Sequence, residues 1–152
     1  MSPFRRKKKL PRPAFAPFEE APGIGISKTI SGDLLTETRR GFDLIKRGHY
    51  TEAERVLKAI AEKYKDDNYL AVMGLSDALL LQHNFEDAEE LYRACIELNP
   101  ITARSRYGLV LVLRWTGREK EAMEHEKLLR KLLGGPLGSD LPDYLPPFEE
   151  EF

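Results

Sequence analysis

The chain has 152 residues, of which 41% are hydrophobic and 32% charged, enough for one modest globular unit with tails and too few for several domains. No apolar run approaches the roughly 18 to 20 residues of a membrane span, and prolines follow the basic N-terminus where a signal peptide is hydrophobic. The single cysteine, Cys95, excludes an internal disulfide and fits a reducing compartment. We therefore expect a cytoplasmic protein with Cys95 in its core.

The net charge of −1 hides an uneven distribution along the chain. Residues 1–12 carry six Lys or Arg and no acidic residue, whereas residues 134–152 carry five acidic residues and no basic one. The predicted units are a basic, Pro-rich extended arm (1–32), a repeat domain of balanced charge (33–134) and an acidic tail with Pro and aromatic residues (135–152).

The arm lacks helical periodicity and is rich in Pro and Gly, so we expect it to be extended or disordered when alone. Its basic cluster consists of Arg5, Arg6, Lys7, Lys8 and Lys9. Such a cluster suits an anionic membrane surface, at about 1 kcal/mol per charge, an acidic partner protein, or a solubilising role. Nucleic acid is disfavoured as a partner because the repeat domain has no basic face to extend the cluster.

The repeat domain starts with a predicted helical hairpin. Residues 34–47 have apolar side chains at intervals of three to four, which predicts a helix, and Gly48 interrupts this pattern. Thr51, followed three residues later by Glu54, matches a capping box and predicts that a second helix starts there and runs to about Tyr64.

Two further hairpins follow with the same organisation. Pro100 closes the second hairpin, since proline cannot continue the helical hydrogen-bond ladder, and Gly135 with Pro136 ends regular structure after the third. The predicted repeats are about 34–67, 69–102 and 103–134.

The three hairpins also repeat one another residue by residue. Ala53, Ala88 and Ala122 occupy the same place in them, at intervals of 35 and 34 residues. Self-similarity at this period is typical of stacked helical hairpins. The same alignment puts Gly41 and Ser76 at a small-residue position of the first helix, while its large apolar position is held by Leu44, Leu79 and Leu113.

These positions resemble the tetratricopeptide repeat family over residues 34–133. The resemblance implies an all-α fold, a right-handed superhelical array of three tetratricopeptide-type helical hairpins with extended N- and C-terminal tails. The chain departs from the family pattern at Glu37 and Arg106, where a large apolar residue is usual, at Val110, where a small residue is usual, and at Glu126, where an aromatic residue or leucine is common.

The resemblance also implies a binding groove on the concave surface, which the first helix of each repeat lines. This surface is mostly apolar and aromatic, so we expect a ligand or the chain's own tail to cover part of it, with Arg104 and Arg114 beside Asp77 fixing the orientation of what binds. The expected groove residues are Thr38, Phe42, Ile45, Met73, Asp77, Leu80, Leu81, Arg104, Tyr107, Leu111, Arg114 and Trp115.

Repeat arrays expose an apolar face at their last hairpin and usually cover it with an extra helix, but no helix is predicted after Leu133. We therefore expect the tail to pack back on the final hairpin or to lie on a neighbouring protein. Its expected anchors are Leu141, Tyr144, Leu145 and Phe148.

The sequence shows no constellation for chemistry. His49, His83 and His125 are each roughly a repeat apart, which favours neither a metal site nor a nucleophile with its base. We expect no catalytic residue, no metal, no cofactor and no enzymatic activity.

The leading hypothesis is a non-enzymatic protein–protein interaction scaffold or adaptor, a subunit that stabilises a larger complex through its groove, its last-hairpin face and its tails. The alternative is a client-specific chaperone that binds an extended apolar peptide. Such a protein would be similar to the three-repeat chaperones of type III secretion, which the chain resembles in size and repeat number only. Either protein is expected in the cytoplasm, with peripheral contact at the inner face of a membrane as an option for the arm.

Overall fold

The computed structural model describes residues 10–15, 32–134 and 141–148. Within these ranges the chain forms six helices, and consecutive helices pack as three hairpins. The helices are α1 (Gly32–Lys46), α2 (Tyr50–Lys63), α3 (Tyr69–Leu81), α4 (Phe85–Leu98), α5 (Ala103–Trp115) and α6 (Glu119–Leu133). The architecture confirms the predicted all-α array of helical hairpins.

Each hairpin closes with the same tight turn around one residue of positive φ. That residue is Gly48 (φ 82°), His83 (φ 63°) or Gly117 (φ 81°). In all three turns its N–H donates to the carbonyl three residues earlier, and the next N–H donates to the carbonyl five residues earlier, at 2.7 to 3.1 Å. Glycine adopts this backbone without steric penalty, whereas His83 does so while stacking on Phe85, with ring centroids 5.3 Å apart.

The predicted capping box at the start of α2 was wrong. The helix starts at Tyr50, and its N-cap residue, His49, makes no side-chain capping bond. Thr51 Oγ1 donates to Gln82 Oε1 at 3.2 Å, and Glu54 accepts from Gln82 Nε2 at 2.9 Å. Because the turn already fixes where α2 starts, the two polar side chains are free to tie the first hairpin to the second.

The core lies along α3 and α5. Eleven of 13 residues of α3 and nine of 13 of α5 are buried, because each of these helices packs against both its hairpin partner and the preceding hairpin. The other helices are amphipathic and bury only one face. The repeated alanines Ala53, Ala88 and Ala122 are fully buried, where their small side chains allow close helix packing.

The array curves with the first helices on its inner side. Within the described residues, α1 contacts α3 and α3 contacts α5, while α2, α4 and α6 have no close backbone contact with one another. Helices that approach each other more closely lie at the smaller radius of a curved stack. The groove is therefore the surface of α1, α3 and α5 that faces away from the second helices.

Candidate interaction groove

The groove contains part of the chain itself, residues 141–148, which we call the C-terminal segment. The segment turns at Pro142–Leu145, where the Leu145 N–H donates to the Pro142 carbonyl at 3.4 Å, and it continues without regular structure to Phe148. Leu145 and Phe148 are only 5% and 6% exposed. The segment is thus bound as closely as a core element.

The tyrosine of this segment reaches a polar centre that three helices build. We define the polar centre as Asp77 of α3, Tyr92 of α4 and Arg104 of α5. Tyr92 donates its hydroxyl hydrogen to Asp77 Oδ1 at 2.5 Å, and Arg104 Nη2 lies 3.5 Å from Asp77 Oδ2. Tyr144 donates to the same Oδ2 and accepts from Arg104 Nη2 at 2.6 Å. Its hydroxyl therefore bridges the carboxylate and the guanidinium.

Burial dominates the electrostatics of the polar centre. Asp77 is fully buried, and burial raises the pKa of its carboxyl above the ordinary value, while the charge of Arg104 and the Tyr144 and Tyr92 hydroxyls lower it in part. Burial also raises the pKa of Tyr92 and of Tyr144, so both phenols keep the hydrogens that they donate. A carboxylate at this depth is tolerated only with such partners.

A second contact lies where the segment ends. Phe148 stacks on Tyr107, with ring centroids 4.2 Å apart and planes inclined by 11°, and the guanidinium of Arg114 lies over the Phe148 ring at 5.2 Å. The Tyr107 hydroxyl donates to the Pro146 carbonyl at 2.6 Å. The groove thus contacts both a side chain and the backbone of the segment.

One glycine makes the polar centre possible. A Cβ at Gly108 of α5 would lie 2.2 Å from Cζ of Tyr92, far inside van der Waals contact. The absent side chain lets the Tyr92 ring cross beneath α5 and present its hydroxyl to Asp77. Gly108 falls within the predicted third repeat, but the sequence did not indicate this contact.

The expected groove residues separate into several environments. Asp77, Arg104, Tyr107 and Arg114 contact the C-terminal segment, and Phe42 lies beside it with its ring 4.8 Å from the Arg104 guanidinium. Met73, Leu111 and the partly buried Leu81 pack into the hydrophobic core or against it.

The remaining expected groove residues have other surroundings. Ile45 and Leu80 are at most 1% exposed and belong to the hydrophobic core. Thr38 is buried and donates to the Leu34 carbonyl at 2.7 Å. Trp115 lies at the turn edge, 5.8 Å from the Phe85 ring and 6.0 Å from that of His83. The assignment of these four to the groove stays a prediction.

The tail covers part of the groove, as one expectation had it, whereas the alternative expectation of packing on the exposed face of the final hairpin differs from the structure. The C-terminal segment does contact α5 of that hairpin, but it does so from the groove and reaches α3 as well. On α6, Met123, Leu128 and Leu132 remain exposed. The segment lies in the groove because the polar centre and Tyr107 offer its side chains and carbonyl matched partners.

The end of the array is closed in part by charge. Glu126 lies one repeat after Tyr92, at the same position of the third hairpin. In the second hairpin this position faces the hairpin that follows. It accepts from Arg114 Nη2 at 2.6 Å and from Arg130 Nη2 at 3.1 Å, and these ion pairs hold its pKa below the ordinary value against the opposing effect of burial. The departure from the family pattern at Glu126 thus supplies a polar end.

The convex side carries a second bound segment, residues 10–15, which we call the N-terminal segment. Residues 10–13 of this segment lie beside α2 and α4. Ala14 N–H donates to Asn68 Oδ1 at 2.8 Å, and the Ala14 carbonyl accepts from the N–H groups of Asn68 and Tyr69 at 3.0 and 3.1 Å. Phe15 stacks on Tyr69 at 4.4 Å. The basic cluster Arg5–Lys9 lies outside the described residues.

The described residues offer little for chemistry. Burial raises the pKa of the Cys95 thiol to about 12, so the sulfur is not a thiolate nucleophile near neutral pH. Nowhere in the described ranges do three His, Cys, Asp or Glu side chains lie together as a metal site would require. No described helix is long and apolar enough to cross a membrane.

A stack of helical hairpins that holds a chain segment in its inner groove defines a helical-repeat module for protein–protein interaction. The sequence model of the tetratricopeptide repeat matches residues 38–100 and 81–132, which together cover more than half of the chain. The chain belongs to the tetratricopeptide repeat family, which is generally non-enzymatic and binds proteins. A search among curated proteins finds no match.

Proposed function

We propose that the protein is a non-enzymatic adaptor, a subunit that holds a partner protein within a larger assembly. The observation that supports this proposal best is the occupied groove. It surrounds a short irregular segment with a polar centre at one end and an aromatic surface at the other. A groove that buries such a segment of its own chain has the shape and chemistry to bind one from another protein.

The adaptor role is favoured over the chaperone role by the state of the groove. A chaperone for an extended apolar client must present an apolar surface, whereas Asp77 and Arg104 make the centre of this groove charged. In either role a partner segment has to displace Leu145 and Phe148 from the groove.

The outer surfaces supply further contacts for an assembly. Met123, Leu128 and Leu132 of α6 form exposed apolar positions that remain uncovered when the groove is filled. The basic cluster directly precedes the N-terminal segment, which is anchored on α2 and α3 through Asn68. We place the protein in the cytoplasm, with the cluster as a tether to an acidic partner or to the inner face of an anionic membrane.

Affinity isolation at gentle salt from cells that produce the protein at natural levels tests the adaptor role. We expect stoichiometric partners that stay bound through purification, and we expect Arg104→Ala or Leu128→Glu to remove at least one. Glu62→Gln, an exposed change on α2, is the control. A single aggregation-prone client that is released on assembly supports the chaperone, and a free monomer contradicts both roles.

A further inference from the structure

We propose that the C-terminal segment is an exchangeable internal ligand and that the groove reads one chemical pattern: an unmodified tyrosine with an aromatic residue four positions later. The inference rests on the proposed function, since it names the ligand of the same groove. The intended occupant is a segment of a partner protein with this pattern, which replaces residues 141–148.

The polar centre belongs to the repeat body and does not depend on the segment for its construction. Asp77, Tyr92 and Arg104 come from three successive helices. The bond from Tyr92 to Asp77 lies within the second hairpin, and the ion pair with Arg104 joins the second hairpin to the third. Preorganised partners of this kind bind a matching group without rearrangement. The site therefore persists when Tyr144 leaves.

The polar centre selects tyrosine because it requires a hydroxyl that both donates and accepts a hydrogen bond. The Tyr144 hydroxyl donates to Asp77 and accepts from Arg104. Phenylalanine fills the same space but leaves Asp77 Oδ2 without its hydroxyl donor and Arg104 Nη2 without its hydroxyl acceptor, and buried polar groups that lose a hydrogen bond are unfavourable. A phosphotyrosine has lost the donating hydrogen and brings about two negative charges next to the Asp77 carboxylate.

The second part of the pattern follows from Tyr107. Its ring stacks on Phe148, four residues after Tyr144, and its hydroxyl binds the carbonyl of Pro146, two residues after Tyr144. The carbonyl contact is independent of side-chain identity, whereas the stack with Arg114 above it favours an aromatic ring. The prolines at 142, 146 and 147 restrict the free segment and lower the entropy lost on binding.

The covalent connection keeps the segment in place. Residues 134–140 join α6 to the segment, and a short connector gives an effective concentration in the millimolar range. A partner segment competes against this effective concentration. How well the partner segment matches the pattern therefore decides how much of the internal segment it displaces. Cutting the connector removes the advantage of the internal segment.

The test uses the full chain with a specific protease site introduced within residues 135–140, cleaved after purification. A labelled synthetic peptide of residues 141–152 is the probe, and its binding to the cleaved protein is followed by fluorescence anisotropy. We expect the probe to exchange with the cut fragment.

The Tyr144→Phe peptide should compete roughly 10-fold or more weakly, the phosphotyrosine peptide should not compete, and the Phe148→Ala peptide should be weakened. Asp143→Asn, at an exposed residue, is the matched control and should compete within about 3-fold.

Three results would overturn the inference. One is equal competition by the unmodified peptide, the Tyr144→Phe peptide and the phosphorylated peptide. Another is loss of helical circular dichroism when the fragment departs, which would make the segment a permanent part of the core. The third is a dimer of the uncut chain in light scattering that Tyr144→Phe dissociates, which would make a second copy the occupant.

Peptide selectivity without any cellular partner would contradict the adaptor role alone, and a cellular partner without peptide selectivity would contradict this inference alone.

Discussion

The two bound segments of the molecule are held in different ways. The C-terminal segment in the groove is bound through side chains, with the Tyr144 hydroxyl at a fully buried carboxylate and the Phe148 ring on Tyr107. The N-terminal segment on the convex side is bound chiefly through its backbone, since Ala14 makes its hydrogen bonds through its N–H and carbonyl, and Phe15 stays 50% exposed. We therefore expect the groove to discriminate between side chains and the convex site to tolerate changes in them.

The largest effect on this comparison is expected from Asp77→Ala. Removing the carboxylate leaves Arg104 and the Tyr92 hydroxyl without their buried partner, and breaking a buried pair in this way costs about 3 to 5 kcal/mol. Urea unfolding measures the loss, with Asp143→Ala as a control that should change stability by less than about 0.5 kcal/mol. An Asp77→Ala protein as stable as the wild type would mean that the polar centre is not formed.

Phe148→Ala and Phe15→Ala compare the two segments with the same substitution. The Phe148 ring is buried against Tyr107, so its loss should cost about 1.5 to 3 kcal/mol, whereas the half-exposed Phe15 should cost less than about 1 kcal/mol. Thermal unfolding of both variants gives the two values. Equal losses would remove the distinction between the segments.

Asn68→Ala probes the convex site. Asn68 accepts from the Ala14 N–H and donates to the Ala61 carbonyl at 2.8 Å, and its removal leaves buried backbone groups unpaired, at about 1 to 2 kcal/mol. Hydrogen exchange should speed up at Ala14 and stay unchanged at Leu145 in the groove. Faster exchange at both positions would show that the two segments are coupled.

The smallest effect is a pH dependence carried by Asp77. Its pKa is raised in the folded protein above the ordinary value of 3.8, so between these two values the folded state holds the proton more often than the unfolded state. Relative to Asp77→Asn, the wild type should therefore lose stability as pH rises through this window. Glu89 and Glu121, whose pKa values are lowered, act oppositely in both proteins and cancel. A difference that is flat or rises with pH would contradict the raised pKa.

The sequence was sufficient for the fold because the signal is repeated. Ala53, Ala88 and Ala122 mark one packing position three times, and the periodic apolar residues around them have few ways to be buried. The prediction of a capping box failed because the turn at Gly48 determines where α2 starts. The side chains of Thr51 and Glu54 instead bind Gln82 of the next hairpin.

The site was harder to predict than the fold. The sequence could predict Asp77, Arg104 and Tyr107 as groove residues because they lie on the first helices. Tyr92 lies on a second helix and enters the site only because Gly108 has no side chain. Such a contact depends on packing between repeats, which the period of 34 or 35 residues does not encode. That the chain's own tail covers part of the groove was among the expectations, but the contact of Tyr144 with the polar centre was not, because Tyr92 helps to build that centre.

A double-mutant cycle between Asp77→Ala and Tyr144→Phe tests most directly whether the C-terminal segment occupies the groove. The two residues are 67 positions apart in sequence, and the structure joins them through one hydrogen bond. The free energies of unfolding of the wild type, the two single variants and the double variant give the coupling between them. Direct contact predicts a coupling of about 1 to 2 kcal/mol. Additive effects, with a coupling below about 0.5 kcal/mol, would show that Tyr144 does not bind Asp77 and would contradict the occupied groove.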